Sequence, residues 1–239
     1  AQYGAAQRRR RIFIFAYRDD THYGQQMTSA LPDAIIKDTG LMAKSFPISE
    51  MGDVKQTSLD TDIVEVSDNF KFPFENAGYM HQGKIYTSKI VELEEQATPL
   101  GDILQSDVDE KYYIASDKIA KWTYLKGAKR IPRVSANGHE YVFSEGPIAF
   151  PDPWNRPGRT MLTSESTLNR STHVVSDPST GRLRLLTPIE AERLQGFDDD
   201  WTNTGMPDRM RYFCMGNALV VPMITRMGSI LDNIVEAEP

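Results

Sequence analysis

Four consecutive arginines, Arg8 to Arg11, stand directly before the run Ile12-Phe13-Ile14-Phe15-Ala16-Tyr17. A guanidinium stays charged and offers five donors in a flat fork, so it suits two-pronged contacts to phosphates, carboxylates and base edges. Aimed at developing negative charge, it is also an electrostatic catalytic group. A solvated basic arm fits the same run of arginines. The apolar segment that follows favours a positioned role, because it fixes two of the side chains at a strand entrance. A second set of cations, Lys121, Lys126, Lys129, Arg130 and Arg133, is interleaved with Trp122 and Tyr124. It reads as a nucleic-acid face, with a solvated helix face as the competing interpretation. Every Lys or Arg after Lys129 is an arginine. The histidines His22, His81, His139 and His173 lack metal-ligand spacing, so no metal is expected. The single cysteine, Cys214, excludes a disulfide framework and reads as a core residue, not a nucleophile.

The elements that must position these groups are unevenly legible. Residues 12–17 read as a strand buried on both faces, of the kind found inside α/β sheets. Few residues precede it and no βαβ pattern surrounds it. It therefore belongs to a larger protein, or another chain supplies its sheet neighbours. Residues 31–38 fit a short helix ending near Gly40, and the acidic stretch 58–69 reads as a linker. Residues 78–87 read as two strands around Gly83, and 98–104 as a helical turn capped by Thr98. Strand-like pieces follow at 140–143 and 146–150, then a loop over 151–158. Thr187-Pro188-Ile189-Glu190 is a capping box that opens a helix ending at Gly196. Met215 to Leu219 reads as a glycine turn. After it, Met223, Ile224, Met227, Ile230, Leu231, Ile234 and Val235 make one apolar helix face.

Composition sets the outer limits. The chain has 239 residues, with 27 Lys and Arg against 33 Asp and Glu, a formal charge of -6. That balance excludes a wholesale basic wrapper of nucleic acid but leaves room for a local basic face. No apolar run approaches the roughly 18 residues of a membrane span, so no membrane partner is expected. No secretory h-region is visible, and the expected location is the cytoplasm.

Three stretches together resemble the C-terminal part of DNA (cytosine-5) methyltransferases. Gln7 to Phe13 is similar to that family's Gln-x-Arg-x-Arg motif. Arg184 to Phe197 matches its Arg-x-Leu-Thr-Pro-x-Glu-x-x-Arg-Leu-Gln-Gly-Phe signature almost letter for letter, and Met215 to Leu219 is similar to its closing Gly-Asn-Ala-Val motif. The order and spacing fit, with about 70 to 171 in the place of the variable target-recognition region. Leu219 stands where valine is usual, and Asp198-Asp199 where a proline-containing turn is common. The family's glycine loop, Pro-Cys nucleophile loop and Glu-Asn-Val motif lie upstream of the first residue here.

The resemblance implies an α/β fold: a remnant of a Rossmann-like S-adenosylmethionine-dependent methyltransferase sheet plus a mixed, mostly β target-recognition domain. It divides the chain into 1–40, the end of the catalytic domain; 41–69, a linker; 70–205, the recognition domain; and 206–239, packing back on the catalytic domain. It implies Arg11 as a contact to O2 of an extruded cytosine and Arg9 as support to a nearby carboxylate or phosphate. Thr160 and Met161 would lie beside the flipped nucleotide, and Arg170, Lys126, Lys129 and Arg130 would contact DNA. Asn217, Ala218 and Leu219 would line the S-adenosylmethionine site, with helix capping as the other reading of Asn217. Thr187, Glu190 and Arg193 are better explained as structural, while Arg193 and Gln195 would either touch the DNA backbone or brace the recognition loop.

Two functions stand side by side. In the first, the chain is the C-terminal part of a cytosine-C5 methyltransferase of a restriction-modification system. It grips double-stranded DNA, and it is inactive without an N-terminal catalytic portion or subunit that carries the nucleophile. In the second, it is a non-catalytic, sequence-specific DNA-binding module derived from such an enzyme. A soluble α+β domain of other function is disfavoured by the middle signature. Exposed apolar surface is expected near Ile12 and near Ile230.

Overall fold

Alternating side-chain exposure dominates the start of the chain. In the computed structural model, which describes residues 1–59 and 62–239, Phe13, Phe15 and Tyr17 are half-buried while Ile12 and Ile14 are 89% and 88% exposed. Residues 12–17 are extended but pair with no strand among the described residues. The expectation of a strand buried on both faces is therefore corrected: a lone extended segment turns successive side chains to opposite sides, and only one side is covered.

The helices and strands follow in chain order. Helices α1 (His22–Ser29), α2 (Pro32–Ala34) and α3 (Leu41–Ser45) precede strands β1 (Ile48–Met51) and β2 (Lys55–Ser58). Helix α4 (Ile63–Asn69) leads to β3 (Ala77–His81), β4 (Lys84–Ser88) and β5 (Ile90–Glu92). Then come α5 (Ile119–Lys126), β6 (Lys129–Val134), β7 (Glu140–Glu145), β8 (Val174–Ser176) and β9 (Leu183–Leu185). The chain closes with α6 (Pro188–Gln195), α7 (Asp208–Asn217) and α8 (Val221–Glu236). The named strands all pair antiparallel, as β1-β5, β2-β4-β3, β6-β7 and β8-β9. The chain is thus mixed α/β, and the described strands include no parallel sheet. No single helix is long and apolar enough to cross a membrane among the described residues.

Several local expectations change. Residues 31–38 split into α2 and a π-helical turn, Ile35–Thr39, closed by the Gly40 amide on the Ile35 carbonyl at 3.1 Å. Thr98 does not cap a helix; its hydroxyl donates to the Gly4 carbonyl, and Pro99 precedes the 3-10 turn Leu100–Ile103. Residues 146–150 form no strand. Met215 to Asn217 are the last turn of α7, and the chain bends only at Ala218. Within 41–69, the stretch expected as a linker, β1 and β2 are laddered to β5 and β4, and α4 is capped by Asp62. Residues 60–61 of that stretch lie outside the described residues. The hairpin at Gly83 and the helix after Pro222 form as expected.

The chain forms two compact units, which divide it differently from the boundaries expected at 40, 69 and 205. One comprises Tyr3–Arg10 and Ala97–Val221, the other Arg11–Gln96 and Pro222–Pro239. In the second, Tyr23, Met27 and Ile35 are buried, and Phe15, Tyr17, Tyr79 and Ile234 pack on them. The Tyr23 hydroxyl accepts the Leu41 amide at 3.0 Å. The Glu238 carboxylate accepts the first two amides of α1, those of His22 and Tyr23, each at 2.8 Å. Helix α8 has no fully buried residue, and Ile224, Leu231 and Val235 are exposed.

The first unit is organised around α6. Its N-terminal capping box forms as the sequence predicts, and Gly196 ends it in the left-handed region at φ 81°. Beneath α6 lies a fully buried ion cluster. Arg184 donates to Asp177 at 2.8 Å and to both Glu190 oxygens at 2.8 and 2.7 Å. Glu190 also accepts the amides of Gln105 and Thr187, at 2.7 and 2.8 Å. A buried ion pair is tolerable only when its remaining donors and acceptors are met in this way. Burial by itself would raise the Asp177 carboxyl, but Arg184 and the Thr180 and Ser179 donors outweigh it and hold it at about 2. Its contribution to stability is complete above the ordinary carboxylate value of about 4 and is lost as pH falls through about 2. Arg184→Met leaves two carboxylates buried without their cation and should cost about 3–5 kcal/mol. Denaturant unfolding at neutral pH measures the loss, and an unchanged midpoint would refute the cluster's structural role.

Candidate functional site

The segment Tyr3–Arg10 enters the first unit as an extended chain, so residues two apart share a face. Ala6 and Arg8 are joined through backbone bonds to Gly158, whose amide donates to Ala6 at 2.8 Å and whose carbonyl accepts from Arg8 at 2.9 Å. That pairing turns Gln7 and Arg9 inward and leaves Arg8 and Arg10 exposed. The buried Gln7 amide donates to the Leu194 carbonyl at 3.0 Å and accepts from the Met161 amide at 3.3 Å. Arg9 donates through one terminal nitrogen to the Met161 carbonyl at 2.9 Å and through the other to the Gly216 carbonyl at 2.8 Å.

Arg9 is therefore a bracket between two remote pieces of chain. The Gly216 carbonyl belongs to the last turn of α7, where unsatisfied carbonyls carry partial negative charge and a cation is stabilised. Gly216 itself is required by proximity. A Cβ there would lie 2.4 Å from the Thr163 amide nitrogen and 2.6 Å from the Leu162 carbonyl carbon. Gln195 adds a third tie, donating to the Met215 carbonyl at 2.5 Å, and Tyr212 donates to the Leu186 carbonyl at 2.6 Å. Three sequence motifs, around residues 7–9, 194–195 and 215–216, thus meet the Thr160-Met161 pair in one hydrogen-bonded core.

The predicted site residues separate into those the structure brings to this core and those it occupies elsewhere. Arg9 donates to two backbone carbonyls, a geometry that positions chain. Arg11 is exposed and begins the second unit. The Thr160 hydroxyl donates to the Arg8 carbonyl. Met161 is fully buried in the core. Asn217 is exposed and its side-chain amide donates back to Phe213 at 3.2 Å. Leu219 is 51% exposed. Residues 217–219 alone do not enclose a cofactor such as S-adenosylmethionine.

Two residues expected at DNA are engaged within the protein. Lys126 is buried, its ammonium donating to the Thr172 carbonyl and lying 5.7 Å from the Trp122 ring. Arg170 is half-buried and donates to the carbonyls of Leu125 and Gly127 at 2.8 and 3.0 Å, and to that of Gly146. It ties together the two ends of the β6-β7 hairpin. Both cations are thus engaged by backbone carbonyls. Lys129 pairs with Glu145 at 3.3 Å, whereas Arg130 is exposed on β6. Arg193 pairs with Asp199 at 2.7 and 2.6 Å and donates to the Ile103 carbonyl at 3.2 Å, so its bonds brace the protein. Among the described residues no His, Cys, Asp and Glu side chains form a metal-sized cluster.

A second polar group was invisible in the sequence. Asp152 and Arg159 form a two-pronged ion pair at 2.7 and 3.1 Å. Nearby, buried His173 meets Glu165 through its backbone amide at 2.6 Å and its ring Nδ1 at 3.1 Å. Burial would raise the Asp152 carboxyl, but Arg159 holds it below its ordinary range. The spacing of these four residues follows no periodic pattern, since all lie on irregular chain. The role of Gln7, by contrast, was encoded in its two-residue spacing from Arg9.

The chain matches the family described as C-5 cytosine-specific DNA methylase over residues 1–233. It belongs to that family. It is 50% identical over 237 residues to the Type II methyltransferase M.Sau3AI of Staphylococcus aureus, an alignment covering 98% of this chain and 57% of that protein. It is 32% identical over 129 residues to the Type II methyltransferase M.NlaX of Neisseria lactamica, covering 54% of this chain and 37% of that protein. The chain thus spans well under two thirds of the length of these relatives. Among solved structures it is similar to the Entamoeba histolytica methyltransferase EhMeth, at TM-score 0.42 and 14% identity over 82% of this chain and 56% of that one. It is also similar to S. pombe Dnmt2 methyltransferase, at TM-score 0.42 and 12% identity over 77% of this chain and 58% of that one.

Two outcomes follow from this geometry. Arg9→Lys replaces a fork that reaches two carbonyls with a single ammonium, and should cost about 1–3 kcal/mol, read from the urea midpoint. A variant as stable as the wild type would remove the bracket from the argument. The second concerns Lys126, whose ammonium burial pushes down to about 8, with Arg159 adding repulsion. Between about 8 and the ordinary lysine value of about 10 the unfolded chain binds the extra proton, so stability rises with pH. Lys126→Met should lack that rise, and its stability relative to wild type should fall over the same interval. A constant difference across those pH values would contradict the buried ammonium.

Proposed function

We propose that this chain is the DNA-gripping and scaffold portion of a cytosine-C5 methyltransferase of restriction-modification type, with S-adenosylmethionine as cofactor and double-stranded DNA as substrate. The observation that carries the reading is the joining of Gln7 and Arg9 to Leu194, Met161 and Gly216. It unites, through side-chain to backbone bonds, the motifs by which the chain resembles its family.

Methylation at C5 requires the cytosine to leave the stack, which costs a few kcal/mol, about what two or three good contacts return. In this reading Thr160 lies beside the backbone of the extruded nucleotide, and the Arg9 bracket holds the strand that presents it. Arg11 points a guanidinium at O2 of the cytosine, where charge builds as a nucleophile adds at C6. The β6-β7 hairpin, with Arg130 exposed and its base held by Arg170, faces the duplex. The cofactor supplies the methyl group. Asn217 to Leu219 contribute one open edge of its site, and an N-terminal portion supplies the remaining walls and the nucleophilic sulfur.

Complementation tests this directly. The chain is mixed with the amino-terminal portion of the Staphylococcus aureus relative, methyl-labelled S-adenosylmethionine and duplex DNA. Label should enter cytosine in the mixture and with neither part alone. Transfer by this chain alone would overturn the assignment of the nucleophile. Tight sequence-specific binding with no transfer in any mixture would instead favour the non-catalytic binding module.

A further inference from the structure

A cavity of about 300 Å³ opens in the first unit between the entering chain and the loop 147–159. Its walls are fixed by backbone bonds: Arg8 amide to Gly158 carbonyl at 2.9 Å, Leu100 amide to Arg156 carbonyl at 2.9 Å, and Asp152 amide to Val174 carbonyl at 2.7 Å. Pro147, Pro153 and Pro157 stiffen the rim and bring no amide donors.

The charges in this cavity do not cancel. Among the described residues Asp152 is the one carboxylate lining it, and Arg159 already engages both its oxygens. Val174 adds an amide to the same carboxylate at 3.0 Å. Arg159 spends its other donors on the Ser171 and Thr172 carbonyls at 2.9 and 3.1 Å. Arg8 and Arg156 remain. Both line the cavity, both are exposed, and neither guanidinium has a hydrogen-bond or ion-pair partner among the described residues. In a chain with six more acidic than basic side chains, 33 against 27, two unspent guanidiniums converging on one rigid cavity call for a counter-charge from outside. A guanidinium fork matches the paired oxygens of a phosphodiester. The cavity also adjoins Thr160, whose hydroxyl is bonded to the Arg8 carbonyl.

We propose that Arg8 and Arg156 clamp one backbone phosphate of bound duplex DNA in this cavity. The proposal rests on the DNA-binding reading above and adds a contact that none of the family motifs supplies. Arg8 occupies the free position between Gln7 and Arg9, and Arg156 lies in the variable region. The clamp is blind to sequence, because phosphates position a protein on DNA and base edges specify it.

The test is the salt dependence of duplex binding, measured by fluorescence anisotropy. The wild-type chain, Arg8→Ala/Arg156→Ala and Arg8→Lys/Arg156→Lys are compared, each alone and with the amino-terminal portion of the Staphylococcus aureus relative. Neutralising one phosphate contributes about 0.9 to the slope of log K against log salt. The double alanine variant should lose about that much slope and bind about tenfold more weakly on every sequence, with its Tm unchanged. The double lysine variant should keep the slope and lose part of the affinity. If the wild type binds DNA and the alanine variant matches it in slope and affinity, the clamp is wrong and the broader reading survives. If the wild type binds no duplex at low salt in either setting, both fall. Inorganic phosphate alone, followed by thermal shift, distinguishes the remaining source. Phosphate stabilisation abolished in the alanine variant, with DNA binding intact, would reassign the cavity to a free anion and overturn the proposal.

Discussion

Arg9 and Gln7 join pieces of chain that lie far apart in sequence. Their partners are backbone groups of Met161, Leu194 and Gly216, more than 150 residues away in sequence. A carbonyl at the end of a helix or in a loop must be satisfied or remain in water. Here the entering strand brings the donors and the first unit closes around them. The close approach of α7 to Leu162 and Thr163 follows, and with it the requirement for glycine at 216.

The rest of the first unit uses charge in the same structural way. Arg184 sits between Asp177 and Glu190, Arg211 donates to Glu192 at 2.8 Å, and Arg159 holds Asp152. Each buried cation is met by carboxylates or carbonyls, so little of the interior charge is available to a ligand. That separation gives meaning to the few guanidiniums that stay unspent. Arg8, Arg130 and Arg156 are exposed on a chain whose arginines are mostly engaged, and in the proposed function they are where DNA would be met.

In the second unit the bracing charges are more exposed, as in the Arg226–Glu95 pair and the Glu238 carboxylate on α1. Its short antiparallel ladders and half-covered aromatic cluster leave Ile12, Ile14 and one side of α8 in water. Exposed apolar side chains on an extended segment and on an amphipathic helix are surfaces that burial would stabilise, at about 25 cal/mol per Å². Their exposure agrees with the expectation drawn from the sequence.

What the sequence determined by itself was local or carried by motif. The capping box at Thr187, the hairpin at Gly83 and the amphipathic α8 follow from side-chain chemistry within a few residues, and all three formed. The family was legible in Arg184 to Phe197. The tertiary structure decided which charged side chains were free. Lys126, in a basic stretch, and Arg170, beyond it, were expected at phosphates, yet backbone carbonyls hold them. Arg8 looks like filler in a motif and stands open to solvent. The reason is that a cation's availability depends on which acceptors the fold brings within about 3 Å of it, and those acceptors are mostly main-chain groups that every residue type shares. The sequence pattern at a cation carries no trace of them.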